Sequence, residues 1–547
     1  MNDTVFQWFT DQPSRYWLVA LPFAALLLAA ALQPRRVPRW VFLACLAACL
    51  LAFRWPVVVT GMESNADESQ LIAGAITLLH RPVFWRDVDA HAIGPLTVYP
   101  LTFLGAMGAS LDYETARLFG LLLEWAGLAA CYRLLREVSG ESWARLGILP
   151  LAAFFALTRS QDFLEYSAET MAGALLALGL AAMWIGLRRH AAGWQAAGAF
   201  VLGCTAWAKL QALPVAVALV AGGLCVHWFG RSEPPAGRGR EVTFLGAGFF
   251  AALVVPLLAI AAAGIWTDWS DAYVHAGISY LGTARVGFPT ALGWFLTDSE
   301  SGFPVYALPL FVLTLALGFP ALRKDPSLRS LVFTLVAAAL AAGVAIAGSG
   351  RLFAHYLGMA LWLPVLPAAA CCAAVFPDSG PARRGWRIGI VVAWLACTLL
   401  PQVAHVLSPS TLKFVFPPGI NHLMMDEASR LIRIQAKPGD TLSVWGWEPR
   451  VYVLTGLPQG TREAHTERLI EANPLRDFYR ARFLADFNRA PPAFFVDGIV
   501  PDNFAFNDRR RHGFELWPEL ARIIAVDYFL LQSADGYRIY RRIDRKG

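Results

Sequence analysis

The sequence predicts a polytopic α-helical membrane protein with a small α/β domain at its C-terminal end. Three observations carry this reading. The 547-residue chain is 56% hydrophobic and only 16% charged, where soluble globular proteins carry about 25% charged residues. Its apolar runs have roughly the length that crosses a hydrocarbon core, ~20 residues. From about Ser408 those runs stop and charges appear throughout. A transmembrane module over 1–407 and a soluble domain over 408–547 are therefore expected.

The runs define about twelve spans: 16–33, 40–60, 116–136, 145–159, 168–187, 192–208, 212–229, 242–264, 303–321, 330–348, 354–376 and 386–406. Basic loops fall between alternate pairs: Arg35 to Arg39, Arg133 to Arg145, Arg188-Arg189-His190, Arg231 to Arg240, Arg323-Lys324 with Arg329, and Arg383-Arg384 with Arg387. Placing these in the cytoplasm satisfies the positive-inside rule. Both termini and every other loop then lie outside. The apolar segment Gly94 to Ser110 would break this alternation as a thirteenth span, so it is read as a re-entrant or interfacial helix. The net charge of +6 resides in arginines of short loops and the tail, a pattern of membrane orientation and not of nucleic-acid binding. All eight cysteines lie in apolar segments, which excludes a disulfide framework or a CxxC metal site. No basic stretch followed by a small-residue cleavage site opens the chain, so no removable signal peptide is expected.

Four polar elements remain outside: Met62 to Asp112, Arg159 to Glu169, Trp266 to Gly302, and the tail. The first carries the adjacent carboxylates Asp67 and Glu68 a few residues beyond a span. Carboxylates so close to a bilayer are costly to desolvate and usually have a task. Leu71, Ala75, Leu78 and Leu79 follow with helical spacing, as for a helix lying on the interface. Asp67 and Glu68 then occupy its first turn, which suits either a helix cap or a reactive carboxylate. Arg86 and His91 follow among aromatic groups. The segment Asp268 to Gly302, with Gly277, Gly282 and Gly287, reads as a mobile lid or as a packed connector to the tail. Within the tail, Thr441 to Trp445 reads as a strand and Ala493 to Val496 as a short apolar run. Glu463 to Asn488 reads as helix interrupted near Pro474. Ile523 to Leu531 and Tyr537 to Arg541 read as strands joined by the hairpin turn Ser533-Ala534-Asp535-Gly536.

An Asp-Glu pair after an early span, the Gly94-Pro95-Leu96 segment, and Ala116-Arg117 before the next span together resemble the GT-C superfamily. These are membrane glycosyltransferases that use lipid-phosphate sugars. Within it the chain is similar to the protein O-mannosyltransferases and bacterial aminoarabinose transferases. Tyr166-Ser167-Ala168-Glu169, Ala206 to Pro214 around Lys209, Arg351 to Leu357, and Trp445 to Pro449 with Tyr452 and Gly456 extend the resemblance over most of the chain. The chain departs from the family's double proline, keeping only Pro95 near Gly94. Asp162 and Glu165 compete with Glu169 for the second acidic site.

The resemblance implies a GT-C fold and transfer of a sugar from a polyprenyl-phosphate donor to an acceptor hydroxyl, by inversion, on the periplasmic face of a bacterial inner membrane. The acceptor oxygen must lose a proton as it attacks. A positioned carboxylate contributes about 10²–10⁴-fold to such a step. Asp67 is the expected base, with Glu68 orienting it or capping the helix. The departing phosphate needs cationic contacts more than an acid. Lys209, Arg86, Arg285 and Arg351 are candidates, with Lys209 otherwise a snorkelling side chain. Glu169, His91, His355 and Tyr356 complete the expected substrate-binding set. His80, His91, His275 and His355 all face outside but lack metal-binding spacing, so no metal ligands are assigned, although a divalent ion is compatible with the chemistry. Expected partners are membrane lipid, the lipid-linked donor, and a glycan, lipid or protein acceptor. The alternative is a secondary transporter or lipid flippase, which would place its ionisable groups near mid-membrane in broken helices.

Overall fold

The computed structural model describes residues 14–91, 93–229, 238–282, 285–377, 384–407, 426–501, 503 and 505–545. Residues 231–237 of the expected basic loop, Arg383, and the start of the tail at 408–425 lie outside them. The chain forms two compact units that do not follow the sequence in order. One comprises 1–59, 118–259 and 284–420. The other joins 60–117 and 260–283 to 421–547.

In the first unit, nine helices among the described residues are long and apolar enough to cross a membrane. Each apolar run of the sequence forms helix. Residues 116–136 and 145–159 lie in one long helix, Tyr113–Leu157, broken at Gly140, whose φ of 79° and ψ of 173° suit only glycine. Run 192–208 becomes the 13-residue helix Ala192–Cys204 followed by a 3₁₀ turn. Run 354–376 becomes a 3₁₀ segment, Ala354–Met359, and the helix Val365–Val375. Arg145, expected in a basic loop, is fully buried. It donates to Ala30 O and Val37 O, each at 2.8 Å, and pairs with Glu141, which also binds Arg39. Satisfying backbone acceptors, not orientation alone, accounts for that arginine.

In the second unit, four strands form one sheet of order β1-β2-β4-β3: β1 (Leu442–Trp445), β2 (Phe494–Asp497), β3 (Tyr528–Ala534) and β4 (Tyr537–Arg542). β1 and β2 run parallel, and the other pairs are antiparallel. The β3–β4 hairpin forms at the expected turn, with positive φ at Asp535 (52°) and Gly536 (83°), the requirement of a two-residue primed turn. The expected strand at Ile523 is corrected: Ile523 to Asp527 closes the helix Pro518–Asp527. Pro518 presets its first helical φ, and Leu520 and Ile524 supply a buried i,i+4 face.

Two helices of the first polar loop belong to this unit. Ala66–His80 is buried from Ala66 through Leu78, save for half-buried Asp67. Its Ala73 lies in a core with Val444, Val451, Tyr452 and Ile539. The helix is thus a core element of the sheet unit and not a surface-lying one, because the sheet supplies the apolar partner for its stripe. Thr77 Oγ1 donates to Gln459 Oε1 at 3.1 Å and accepts from Gln459 N at 3.0 Å. Pro95–Ala106 spans 12 residues, too short to cross a bilayer. The segment read as a lid is largely helical. Its first half is tied into this unit by Asp268 on Arg462 at 2.7 Å and by Tyr273 against Trp85, as in the connector reading.

Tyr452 is fully buried beneath the sheet, and its hydroxyl accepts from Val444 N. Tyr452→Ala should lower the stability of this unit by about 3–5 kcal/mol, read as a fall in its thermal unfolding midpoint.

Candidate functional site

The two carboxylates of the loop's acidic pair differ in burial and contacts. Asn65 caps the helix Ala66–His80 by accepting from Asp67 N at 3.2 Å, so both carboxylates fall in the first turn. Glu68 is fully buried and takes a forked contact from Arg117, Nε to Oε1 at 3.0 Å and Nη2 to Oε2 at 2.6 Å. Arg117 also donates to Thr60 O, Met62 O and Ser64 Oγ at 2.6–2.9 Å. Its guanidinium therefore fixes the approach to the helix and the helix itself. Ser69 and Tyr113 add a hydroxyl pair at 2.8 Å. Asp67, one residue away, stays half-buried.

Sequence reasoning missed Glu63. Burial pushes its carboxyl up to about 7, with Glu448 also raising it and Ser69 and Arg450 opposing. A carboxyl poised near neutrality suits proton transfer. Its own place in the sequence does not mark it out, because Glu448 and Arg450, which help set its charge, lie in the tail.

Further along the loop, Arg86 is exposed and lies 3.7 Å from Asp87. His91 has a positive φ of 50° and stacks on His465, with ring centroids 4.0 Å apart at 16°. His465 stacks in turn on Trp447. Burial and the nearby Arg468 push His91 well down and His465 down to about 3. His91, His465 and Glu467 lie within 4.8 Å of one another. Parallel rings direct their in-plane lone pairs side by side and not to one point, which fits a metal ion poorly. Beside them, burial opposes but Arg482 and Arg468 hold the Asp89 carboxyl below its ordinary value.

In the other unit, four expected residues converge. Glu169 lies buried in the first turn of Ala168–Arg188, capped by Ser167 Oγ accepting from Thr170 N at 3.2 Å. Lys209 lies between the two 3₁₀ turns Thr205–Trp207 and Leu210–Ala212, with an extended φ of −150°. That break turns Lys209 Nζ onto Glu169 Oε1 and over the Tyr356 ring at 4.7 Å. The lysine is 13% exposed in its side chain, so it is held inward and does not snorkel. His355 Nδ1 stands 3.1 Å from Asp162 Oδ1, and its Nε2 stands 3.9 Å from Glu169 Oε1.

Glycines make this approach feasible. A Cβ on Gly173 would meet Gly358 O at 2.6 Å, and one on Gly358 would meet Glu169 Cβ at 2.9 Å. Asp162, Glu165 and His355 also lie within 4.8 Å of one another. Two carboxylates and an imidazole form a donor set that fits a divalent ion. Nearby, Arg351 is buried, and its backbone N–H meets Ser349 Oγ at 3.3 Å. Arg285 is exposed, and its backbone N–H bonds Gly350 O.

No protein-family model matches the chain. No curated protein matches it either. Among solved structures, ArnT from Cupriavidus metallidurans in the apo state aligns with a TM-score of 0.56 and 15% identity, over 93% of this chain and 99% of that one. The Archaeoglobus fulgidus oligosaccharyltransferase AglB, in complex with an inhibitory peptide and a dolichol-phosphate, aligns with a TM-score of 0.47 and 11% identity, over 90% of this chain and 70% of that one. The likeness to ArnT is one of fold, over nearly the whole length of both chains.

Two outcomes follow. Glu63 titrates near 7 in the folded chain against an ordinary 4.5. The folded state then holds a proton that the unfolded state has released between those values, and stability falls as pH rises through that window. Glu63→Gln should flatten the dependence of the unfolding midpoint on pH from about 4.5 to 7. Gly173→Ala should cost about 1–3 kcal/mol by overpacking and lower the midpoint of the membrane unit.

Proposed function

We propose that this chain is a membrane glycosyltransferase that moves a sugar from a polyprenyl-phosphate donor to an acceptor hydroxyl on the periplasmic face of a bacterial inner membrane. The observation that carries the reading is the division within the acidic pair. Glu68 is buried and engaged by Arg117, while Asp67 is held half-buried on the same rigid turn. A base must be fixed in place yet reachable, and Asp67 meets both conditions.

In the proposed reaction the acceptor O–H gives its proton to Asp67. The oxygen forms a bond to the anomeric carbon, and the bond from that carbon to the phosphate oxygen breaks. The electron pair leaves with polyprenyl phosphate, and a single displacement inverts the anomeric centre. Glu68 is assigned to positioning Asp67 through Arg117. Lys209 is assigned to the donor phosphate, with Arg351 supporting it. Glu169 orients the Lys209 ammonium by direct contact, and His355 and Tyr356 shape the sugar pocket. Arg86, His91 and Arg285 have weaker grounds: the first and last are exposed, and His91 is stacked against His465. Were a divalent ion required, Asp162, Glu165 and His355 would hold it, and the ion would supply positive charge near the phosphate.

Asp67→Asn should lower transfer from a polyprenyl-phosphate sugar by about 10²–10⁴-fold with an unchanged unfolding midpoint. Full activity in that variant would remove Asp67 as the base. Lys209→Ala should weaken donor binding, measured as a raised KM for the lipid donor. Surface-glycan mass spectrometry of a deletion strain would identify the sugar and the acceptor.

A further inference from the structure

Away from the Glu169–Lys209–His355–Tyr356 group, the membrane unit holds an apolar cleft of about 470 Å³. That is within the ~300–1,000 Å³ typical of ligand sites. Its walls come from four helical segments, with Trp17, Leu50, Phe53, Ala153 and Val403 among the lining residues. Its rim is open, since Leu21 and Leu407 are each 54% exposed. None of the four clustered residues lines it.

A small polar pocket adjoins the cleft, with Phe53 and Ala156 lining both. It is lined by Tyr16, Arg54, Thr158 and Arg159. Most of these groups are already engaged. The Tyr16 hydroxyl donates to Phe53 O at 2.9 Å. Arg54 donates to Phe155 O and Phe163 O and lies 3.6 Å from Glu124. Arg159 differs. Its Nε and Nη2 are buried without a hydrogen-bond partner, as is Thr158 Oγ1 beside it. Its guanidinium stands 5.8 Å from the ring of Trp17, a residue of the cleft wall. The residue as a whole is half-buried, but buried guanidinium donors without acceptors are unfavourable until an anion meets them.

We propose that this cleft and pocket form a resident lipid site, taking one acyl chain of an anionic phospholipid with its phosphate on Arg159 and Thr158. The apolar cleft fits the chain, and the open donors at its Trp17 end fit the head. Because the site shares no residue with the proposed donor group, its occupant is a bound membrane lipid and not a reactant.

The test uses the purified full-length protein in mild detergent. Native mass spectrometry compares retention of phosphatidylglycerol and phosphatidylcholine offered at equal mole fraction. The wild type should retain phosphatidylglycerol preferentially. R159Q should lose that preference by about tenfold, the worth of one charge-assisted hydrogen bond, while R159K keeps most of it. A153F, which fills the cleft but keeps the arginine, should lower retention of both lipids. An unchanged unfolding midpoint and elution volume would establish that each variant folds. Equal preference in R159Q and wild type would overturn the proposal. So would stabilisation by inorganic phosphate alone equal to that by phosphatidylglycerol, which marks a free-anion site. One-for-one displacement by polyprenyl phosphate would also overturn it, by assigning the cleft to the donor.

Discussion

The buried ion pair between Glu68 and Arg117 is the constraint on which the candidate site rests. The two side chains are 0% and 1% exposed. Removing two charges from water costs several kcal/mol per ion, recovered only where geometry is good and the remaining donors are filled. Arg117 meets that condition by spreading its donors over Glu68, two backbone carbonyls and Ser64. Residues 60–64 and the first turn of Ala66–His80 thereby become one rigid piece. Asp67 sits on that piece.

The same physics recurs at the other buried charges. In the membrane unit, Glu169 meets Lys209 because a helix breaks at Lys209, and Gly173 and Gly358 let a 3₁₀ segment approach within backbone contact distance. Arg145 donates to Ala30 O, in the last turn of a helix, and to Val37 O, in the turn that follows it. In the sheet unit, Arg462 binds Asp486 and Asp268, and Arg482 binds Asp89 and Glu463. These pairs sew loop segments far apart in sequence onto one sheet. Burial makes each pairing obligatory, since an unpaired charge there would be strongly destabilising.

Legibility in the sequence followed the range of the forces. Most spans were readable because crossing length is a property of a continuous run, but runs 192–208 and 354–376 break into a shorter helix and a 3₁₀ turn. The β3–β4 hairpin was readable because Asp535-Gly536 specifies a turn locally. The helix Ala66–His80 was readable from its spacing, but its neighbour was not: an apolar stripe looks the same whether membrane or sheet covers it. Ile523 to Asp527 was misread as strand because β-branched residues near a turn favour that reading, and the packing of Leu520 and Ile524 overrode it. Of the expected binding residues, Glu169, Lys209, His355 and Tyr356 converge. Glu63, Arg117's role and His465 were not legible, because their significance lies in partners and not in their own neighbourhoods.

By itself, then, the sequence determined the helical membrane architecture, the added sheet domain, and an Asp-Glu pair on the first turn of a loop helix. These rest on hydrophobic length, periodicity and turn chemistry, all of which act over a few residues. Only the tertiary structure decided that Glu68 is fully buried against Arg117 while Asp67 stays half-buried. Arg117 lies 49 residues from Glu68, and Gln459 lies 382 from Thr77. Charge pairing in a desolvated interior depends on distance in space, which the order of residues does not supply.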